Sequence, residues 1–174
     1  NIGILIGDEN LDTDFKKLSP VMDEIRTIAP DALVSHCGRG IDIQADYVEA
    51  GKYETYVNQL VNVLKPDVIN FNMYPFYRQA ANHGLAIHFF RNLEIVTTTA
   101  RAAGIPCFNW TQGFAFQETD KWPHHAPSES ELRMQAFVSL AYGAKGLFYW
   151  TYSSHYHPYG ETIIDKDGNF SSVG

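Results

Sequence analysis

The stretch that decides the fold is Ile2-Gly3-Ile4-Leu5-Ile6-Gly7-Asp8-Glu9, close to the start of the sequence. Its apolar, partly β-branched residues are typical of a buried strand, and two adjacent carboxylates follow where that strand would end. In parallel α/β proteins the chemistry lies at the carboxyl ends of the strands. Asp8 and Glu9 are therefore the first candidates for a functional site. Because there is no initiator Met and the sequence opens inside a strand, we expect further residues before Asn1.

Outward from this stretch, strand and helix patterns alternate along all 174 residues. We predict strands over 2–7, 32–37, 67–73, 106–110 and 146–151, and helices over 13–29, 53–64, 88–103 and 128–142. The first helix would be capped by Asp12 or Thr13, and Ser128 with Glu131 would form a capping box. Strands joined by helical crossovers form a parallel sheet, so we predict one α/β domain over 1–174 without an internal linker.

The amino-acid composition limits the classes of partner that we expect for this protein. A net charge of −7 and the lack of a basic run argue against a nucleic-acid partner. No apolar run reaches the ~20 residues that a membrane-spanning helix needs, so we predict no membrane insertion. Cys37 and Cys107 fall in predicted strands without metal-binding spacing, which indicates buried free thiols.

The predicted strand ends supply one acidic group, several amides and a ring of aromatic side chains. This mixture suits carbohydrate, since carboxylates transfer protons, amides bind hydroxyls and flat rings stack on sugar faces. Side chains alternate along a strand, so Glu9 would share its face with Leu5 and Gly7 while Asp8 points away. The predicted carbohydrate-binding residues are Asn72, Tyr74, Trp110, Gln112, Trp150 and Tyr152.

Several blocks resemble the second half of a (β/α)8-barrel glycoside hydrolase, of the β-galactosidase-like type in the large retaining clan. They are Gly7-Asp8-Glu9, the segment 67–76, the segment 131–152 and the segment 163–168, and they cover nearly the whole sequence. The block Ala-Tyr-Gly-Ala-Lys-Gly-Leu-Phe-Tyr-Trp at 141–150 is the most specific of them. The resemblance implies a partial barrel containing barrel strands four to eight.

The same resemblance implies roles for individual residues. Glu9 matches the general acid/base at the end of barrel strand four, and Tyr74 resembles the residue that hydrogen-bonds the nucleophile. Trp150 matches the aromatic floor at strand eight, which is often followed by a non-proline cis peptide. The clan usually has Asn where this sequence has Asp8. The nucleophile position at the end of strand seven reads Trp110-Thr111-Gln112, without a carboxylate.

This missing carboxylate leaves two functions open. The protein is a glycoside hydrolase that takes its second carboxylate from Glu118, Asp120 or Glu161, or it is a catalytically inactive carbohydrate-binding barrel. The substrate would be an oligo- or polysaccharide in either case, and the resemblance implies a secreted or periplasmic location.

We predict neither a metal nor another cofactor. His124, His125, His155 and His157 lack a third ligand at metal-binding spacing, and no phosphate-binding Gly-rich loop is present. The segment 165–169 begins like a calcium loop but lacks its Glu at position 12, so we interpret it as a turn after a short strand.

Overall fold

The computed structural model describes residues 3–41, 51–77, 84–85, 88–116, 124–153, 159–165 and 167–171. In chain order the elements are β1 (Gly3–Asp8), α1 (Asp12–Ile28), β2 (Leu33–Gly38), α2 (Lys52–Gln59), β3 (Val68–Asn72), β4 (Phe76–Tyr77), β5 (Gly84–Leu85), α3 (Phe89–Ala103), β6 (Cys107–Gln112), β7 (Phe114–Phe116), α4 (Glu129–Tyr142), β8 (Gly146–Trp150) and β9 (Tyr159–Thr162).

The central feature is a sheet in which β1, β2, β3, β6 and β8 lie side by side in chain order. Every neighbouring pair in it is parallel, which confirms the predicted five-stranded parallel sheet. Two small antiparallel pairs, β4 with β5 and β7 with β9, were not predicted as pairs. Both lie beyond the carboxyl ends of the strands that precede them and extend that edge of the sheet.

The helices begin and end close to their predicted limits, with local differences. The prediction that Asp12 or Thr13 caps α1 is wrong, because Asp12 is already helical and Leu11 occupies the N-cap. The second predicted helix continues past α2 as a π-helical turn, Leu60–Leu64, and ends at Lys65 with a left-handed φ of 47°. At the start of α4 the predicted capping box between Ser128 and Glu131 is confirmed.

The hydrophobic core lies between one face of the sheet and the helices. Alternation along β3 turns Ile69 and Phe71 into this core, where they join Phe15 and Met22 of α1 and Leu93 of α3. Asn70 and Asn72 therefore face the other side of the sheet, which we call the inner face. As predicted, Cys37 and Cys107 are buried free thiols.

Register arranges the inner face in rows that run across the strands. One row joins Asp8, Cys37, Asn70, Phe108 and Gly146, because each residue is the register partner of the next. The row above it, nearer the carboxyl ends, joins Asn72, Trp110 and Phe148, and the next pairs Gln112 with Trp150. The predicted site residues thus converge on the upper rows.

Candidate functional site

Glu9 lies directly beyond β1, where the backbone leaves the regular strand. The pairing of β1 with β2 shifts between Leu5 and Asp8, and both Gly7 and Glu9 have positive φ angles, 78° and 51°. Gly7 is required here for space as well, since a Cβ would lie 2.3 Å from Asn10 Oδ1. The Glu9 amide N–H donates to the Cys37 carbonyl at 3.0 Å, which fixes the turned backbone against β2.

The turned backbone allows the Glu9 carboxylate to reach across β2 to β3. Glu9 Oε1 accepts a hydrogen bond of 2.6 Å from Asn72 Nδ2, and Asn72 is 6% exposed. Two residues predicted separately, the acid and an amide ligand, are therefore in direct contact. A carboxylate held by a buried amide has a defined orientation toward the space above the inner face.

Asp8 shares this region, so the prediction that it points away from Glu9's site is wrong. The shift in β1 inserts a residue into the strand, which makes Asp8 the register partner of Cys37 on the inner face. Burial raises the pKa of the Cys37 thiol well above its usual value, and the charge and hydrogen bond of Asp8 and the charge of Glu9 raise it further. The thiol thus stays protonated between two carboxylates.

A buried network behind Glu9 supports the turn, and sequence reasoning missed it. Asn10 Oδ1 accepts from His36 Nε2 at 3.1 Å, and the Asn10 carbonyl accepts from the Tyr56 hydroxyl at 3.1 Å. The Tyr56 hydroxyl in turn accepts from the Arg39 amide N–H at 3.1 Å. Burial lowers the pKa of His36 to about 4, so its ring is neutral at neutral pH. Helical spacing predicted Tyr56 as a core residue, but nothing in the pattern linked it to Glu9.

Aromatic side chains form a wall beside the amides. Trp110 stacks on Phe148 with ring centroids 4.6 Å apart and meets Trp150 edge-on at 5.9 Å. Trp150 is 40% exposed, so part of its ring is open to a ligand, and Tyr152 beyond it is exposed too. The peptide bond between Trp150 and Thr151 is cis, as the resemblance led us to expect.

Tyr74 lies in a second aromatic cluster above β3. Its ring meets the ring of Phe114 edge-on at 4.9 Å and that of His124 at 6.2 Å. Its carbonyl accepts from His124 Nε2 at 3.0 Å. Tyr74 is half-buried at the carboxyl edge, so it borders the same end of the sheet as Asn72 and Trp110.

Gln112 occupies the position where the resemblance expects a nucleophile, and its side chain is fully buried. Its Oε1 accepts from the Phe76 amide N–H at 3.1 Å. Its Nε2 donates to the carbonyls of Phe114 at 3.1 Å and His125 at 2.8 Å. The amide thus connects three backbone segments at the strand end, a contact pattern that suits a neutral group with both a donor and an acceptor.

Of the three acidic residues that could supply the second carboxylate, the structure describes only Glu161. Glu161 is exposed in β9, where it is the register partner of Ala115 in β7. Glu118 and Asp120 lie outside the described residues, as do His155 and His157. Within the described ranges, no three His, Cys, Asp or Glu side chains are grouped so that they could hold a metal ion.

The segment after β9 forms the predicted turn. Asp165 Oδ1 accepts from the amide N–H groups of Asp167 at 2.8 Å and Asn169 at 2.9 Å, and Gly168 has a positive φ of 85°. The carboxylate that a calcium loop would offer to the ion is here bound to backbone donors. None of the helices in the described part of the chain is long and apolar enough to cross a bilayer.

The chain is similar to known proteins in structure but not in sequence. No family model matches the sequence, and no curated protein matches it. The structure is similar to the endo-β-1,4-mannanase from Thermotoga petrophila, with 12% identity, a TM-score of 0.60, and coverage of 98% of this chain and 38% of the mannanase.

Two further solved structures show the same likeness. An active-site mutant of the Rhizomucor miehei β-1,3-glucanosyltransferase, in complex with laminaritriose, has 16% identity and a TM-score of 0.60, with 99% of this chain and 62% of that one covered. The β-glucosidase 1317 has 14% identity and a TM-score of 0.52, with 87% and 42% covered. The chain thus spans about two fifths to three fifths of the length of these proteins. Its five parallel strands and their helices have the fold of part of a (β/α)8 barrel.

Proposed function

We propose that the chain is the C-terminal part of a glycoside hydrolase barrel, with Glu9 as the general acid/base. The observation that carries this proposal is the Glu9–Asn72 contact at the carboxyl edge of the sheet, next to the aromatic wall of Trp110, Phe148 and Trp150. Strand carboxyl ends are the catalytic edge of (β/α)8 barrels. An aromatic wall beside an oriented carboxyl group suits a sugar ring whose glycosidic oxygen needs a proton.

In this mechanism the protonated Glu9 carboxyl gives its proton to the glycosidic oxygen as the bond from that oxygen to the anomeric carbon breaks. The electron pair of the bond stays on the leaving oxygen, and the anomeric carbon is attacked by a second group. In a retaining enzyme that group is a carboxylate, which bonds to the anomeric carbon; water then displaces it from that carbon, and the ionised Glu9 takes the proton of the water. In an inverting enzyme water attacks directly and the second carboxylate takes its proton. The second carboxyl group would lie ~5 Å away in a retaining enzyme and ~6.5–9.5 Å away in an inverting one.

Asp8, Glu118, Asp120 and Glu161 are the candidates for that second carboxyl group. Asp8 enters this set because it faces the same thiol as Glu9. Single Asn or Gln variants of the four would identify it, since the required carboxylate is the one whose loss abolishes hydrolysis while glycan binding persists.

One observation favours a second function, carbohydrate binding without catalysis. At the usual nucleophile position, Gln112 is a buried neutral amide whose bonds all go to backbone groups. A barrel with this replacement could keep its aromatic wall and its amides while lacking the second half of the catalytic pair.

The test compares the unmodified protein with Glu9→Gln on aryl glycosides and glycans, measuring hydrolysis and, by calorimetry, binding. We expect Glu9→Gln to lower the hydrolysis rate about 10²- to 10⁴-fold, the usual contribution of a general acid/base. Glu94→Gln, an exposed residue of α3, is the matched control and should leave the rate unchanged. Undiminished hydrolysis by Glu9→Gln would remove Glu9 from the mechanism, whereas glycan binding without hydrolysis by the unmodified protein would favour the second function.

A further inference from the structure

A row of buried polar atoms on the inner face has hydrogen-bonding capacity that the protein does not use. Arg39 Nε and Nη1, Asn72 Oδ1 and Trp110 Nε1 are all buried, and no described residue is a hydrogen-bond partner for any of them. Buried polar atoms are paired in the great majority of cases, so several such atoms together require an explanation.

These atoms belong to one cross-strand row. Asn72 and Trp110 are register partners in β3 and β6. Gly38, the last residue of β2, is the register partner of Phe71 in β3. Arg39 and Asn72 are the residues that follow these two partners. The row therefore runs Arg39, Asn72, Trp110, and it includes the amide that holds Glu9.

The backbone of Arg39 is fixed while its guanidinium has no such attachment. Its amide N–H donates to the Tyr56 hydroxyl at 3.1 Å, and its carbonyl accepts from the Tyr53 hydroxyl at 2.7 Å. Among the described residues, no carboxylate lies within 4.0 Å of the Arg39 side chain, although Arg26, Arg91 and Arg133 all form such ion pairs. The backbone at the end of β2 is thus fixed, and no carboxylate among the described residues neutralises the guanidinium that it carries.

Such a cation is costly to keep. A guanidinium stays protonated in proteins, and Arg39 is half-buried with its Nε and Nη1 inside the protein, so its charge is partly removed from water without a partner among the described residues. A neutral hydroxyl could accept a hydrogen bond from Arg39, but it would leave the charge in place. A ligand that brings a negative charge would satisfy both the hydrogen-bond donors and the charge.

We propose that this row is a subsite for an anionic sugar, a uronic acid or a sulfated sugar, so that the substrate is an anionic glycan. The Nε and Nη2 edge of Arg39 would bind two oxygens of the carboxylate or sulfate side by side, and Nη1 would donate to a further oxygen. Asn72 Oδ1 would accept from a sugar hydroxyl, and the Trp110 indole N–H would donate to a sugar oxygen. This inference rests on the proposed function, since it names the substrate of the site that contains Glu9.

The test measures binding of matched sugars by saturation-transfer NMR with competition. The probes are D-glucuronate with D-glucose, D-galacturonate with D-galactose, and D-glucose 6-sulfate, which separates a sulfate from a carboxylate preference. We expect the preferred anionic sugar to bind about 10- to 100-fold more tightly than its neutral partner, the usual effect of a hydrogen-bonded charge pair. Arg39→Gln should abolish this preference, Arg39→Lys should retain part of it, and Arg133→Gln, an exposed control, should leave it unchanged.

The unfolding midpoint without ligand gives a second readout. Arg39→Gln removes an unpaired charge, so it should leave the midpoint unchanged or raise it, whereas loss of a structural arginine would lower it. Equal binding of neutral and anionic sugars, a preference that survives Arg39→Gln, or no binding of any probe would overturn the inference. The proposed function would be unaffected by those results if Glu9-dependent hydrolysis of neutral glycans were observed.

Discussion

At the scale of single residues, the buried network that supports Glu9 depends on pH through His36. The ring lies beneath α1, edge-on to Phe15, and its Nε2 holds the side chain of Asn10 next to Glu9. Burial lowers its pKa from 6.5 to about 4. Between these two pH values the unfolded chain binds a proton at His36 that the folded chain does not, so the folded state loses stability as the pH falls.

We therefore expect the free energy of unfolding to decrease from pH 6.5 to pH 4, with His36 contributing up to about 3 kcal/mol of the decrease. Urea unfolding curves at half-unit intervals of pH would measure it. His36→Gln cannot titrate but keeps a donor for Asn10, so its stability should change much less over the same window. Parallel pH profiles for the two proteins would contradict the assignment to His36.

At the scale of elements, α4 is connected to the strand-end loops through its N-terminus. Glu131 accepts from the Ser128 amide N–H at 2.8 Å and from His125 Nε2 at 3.0 Å. His125 Nδ1 lies 3.2 Å from the Tyr77 carbonyl oxygen, and the carbonyl of His125 accepts from Gln112 Nε2. The capping box therefore holds the segments that surround Gln112 as well as the helix.

The charge on Glu131 matters for this connection. Burial raises the pKa of Glu131, but the hydrogen bonds from Ser128 and His125 outweigh that effect and hold the pKa below 4.5. A carboxylate with a lowered pKa stabilises the folded state above its unfolded pKa, and the stabilisation is lost as the pH falls below about 4.5.

We expect Glu131→Gln and Ser128→Ala each to lower the free energy of unfolding at pH 7 by about 1 kcal/mol, the usual effect of a lost helix cap. The double variant should lose less than the sum, because each change already breaks the reciprocal pair. Glu129→Gln, exposed on the same turn, is the control and should have a smaller effect. Additive losses in a urea double-mutant cycle would show that the two residues act independently.

At the scale of the whole molecule, the predictable parts are those with a repeating pattern. The five strands of the sheet and their crossover helices carry apolar periodicity over many residues, so the sequence predicts their order and parallel pairing. The pairs β4–β5 and β7–β9 have strands of two to four residues, too short for a period to show. Their positions depend on contacts made after folding, such as those of Gln112.

The same distinction applies to the candidate site, where the strand ends are predictable and the contacts that form only on folding are not. Strand ends predict that Glu9, Asn72 and Trp110 meet at one edge, and the Glu9–Asn72 hydrogen bond and the Asn72–Trp110 register agree with that expectation. Strict alternation fails at Asp8 because of the shift in β1 at Gly7, where the backbone packs against His36, a residue that is its neighbour only in the folded chain. The unpaired charge of Arg39 is likewise visible only when register and burial are known.

The inner face also determines how the 174-residue chain should behave in solution. Leu5 on the edge strand β1 is 46% exposed, Phe148 and Trp150 on the opposite edge strand β8 are 38% and 40% exposed, and all three lie on this face. Exposed apolar side chains on the edge strands of a sheet favour association with other apolar surfaces. We expect the chain to bind the dye ANS and to self-associate as its concentration rises, in sedimentation velocity experiments.

Leu5→Lys should reduce both effects, because a charge on the edge strand blocks strand pairing and covers the apolar face. Phe137→Lys is the informative comparison, since Phe137 is 67% exposed but lies on α4 in the helical layer. If association depends on the inner face, Leu5→Lys disperses the chain and Phe137→Lys does not. The reverse result would show that the chain associates through its helices. A chain that stays monomeric and does not increase ANS fluorescence would show that the inner face is covered within the chain itself.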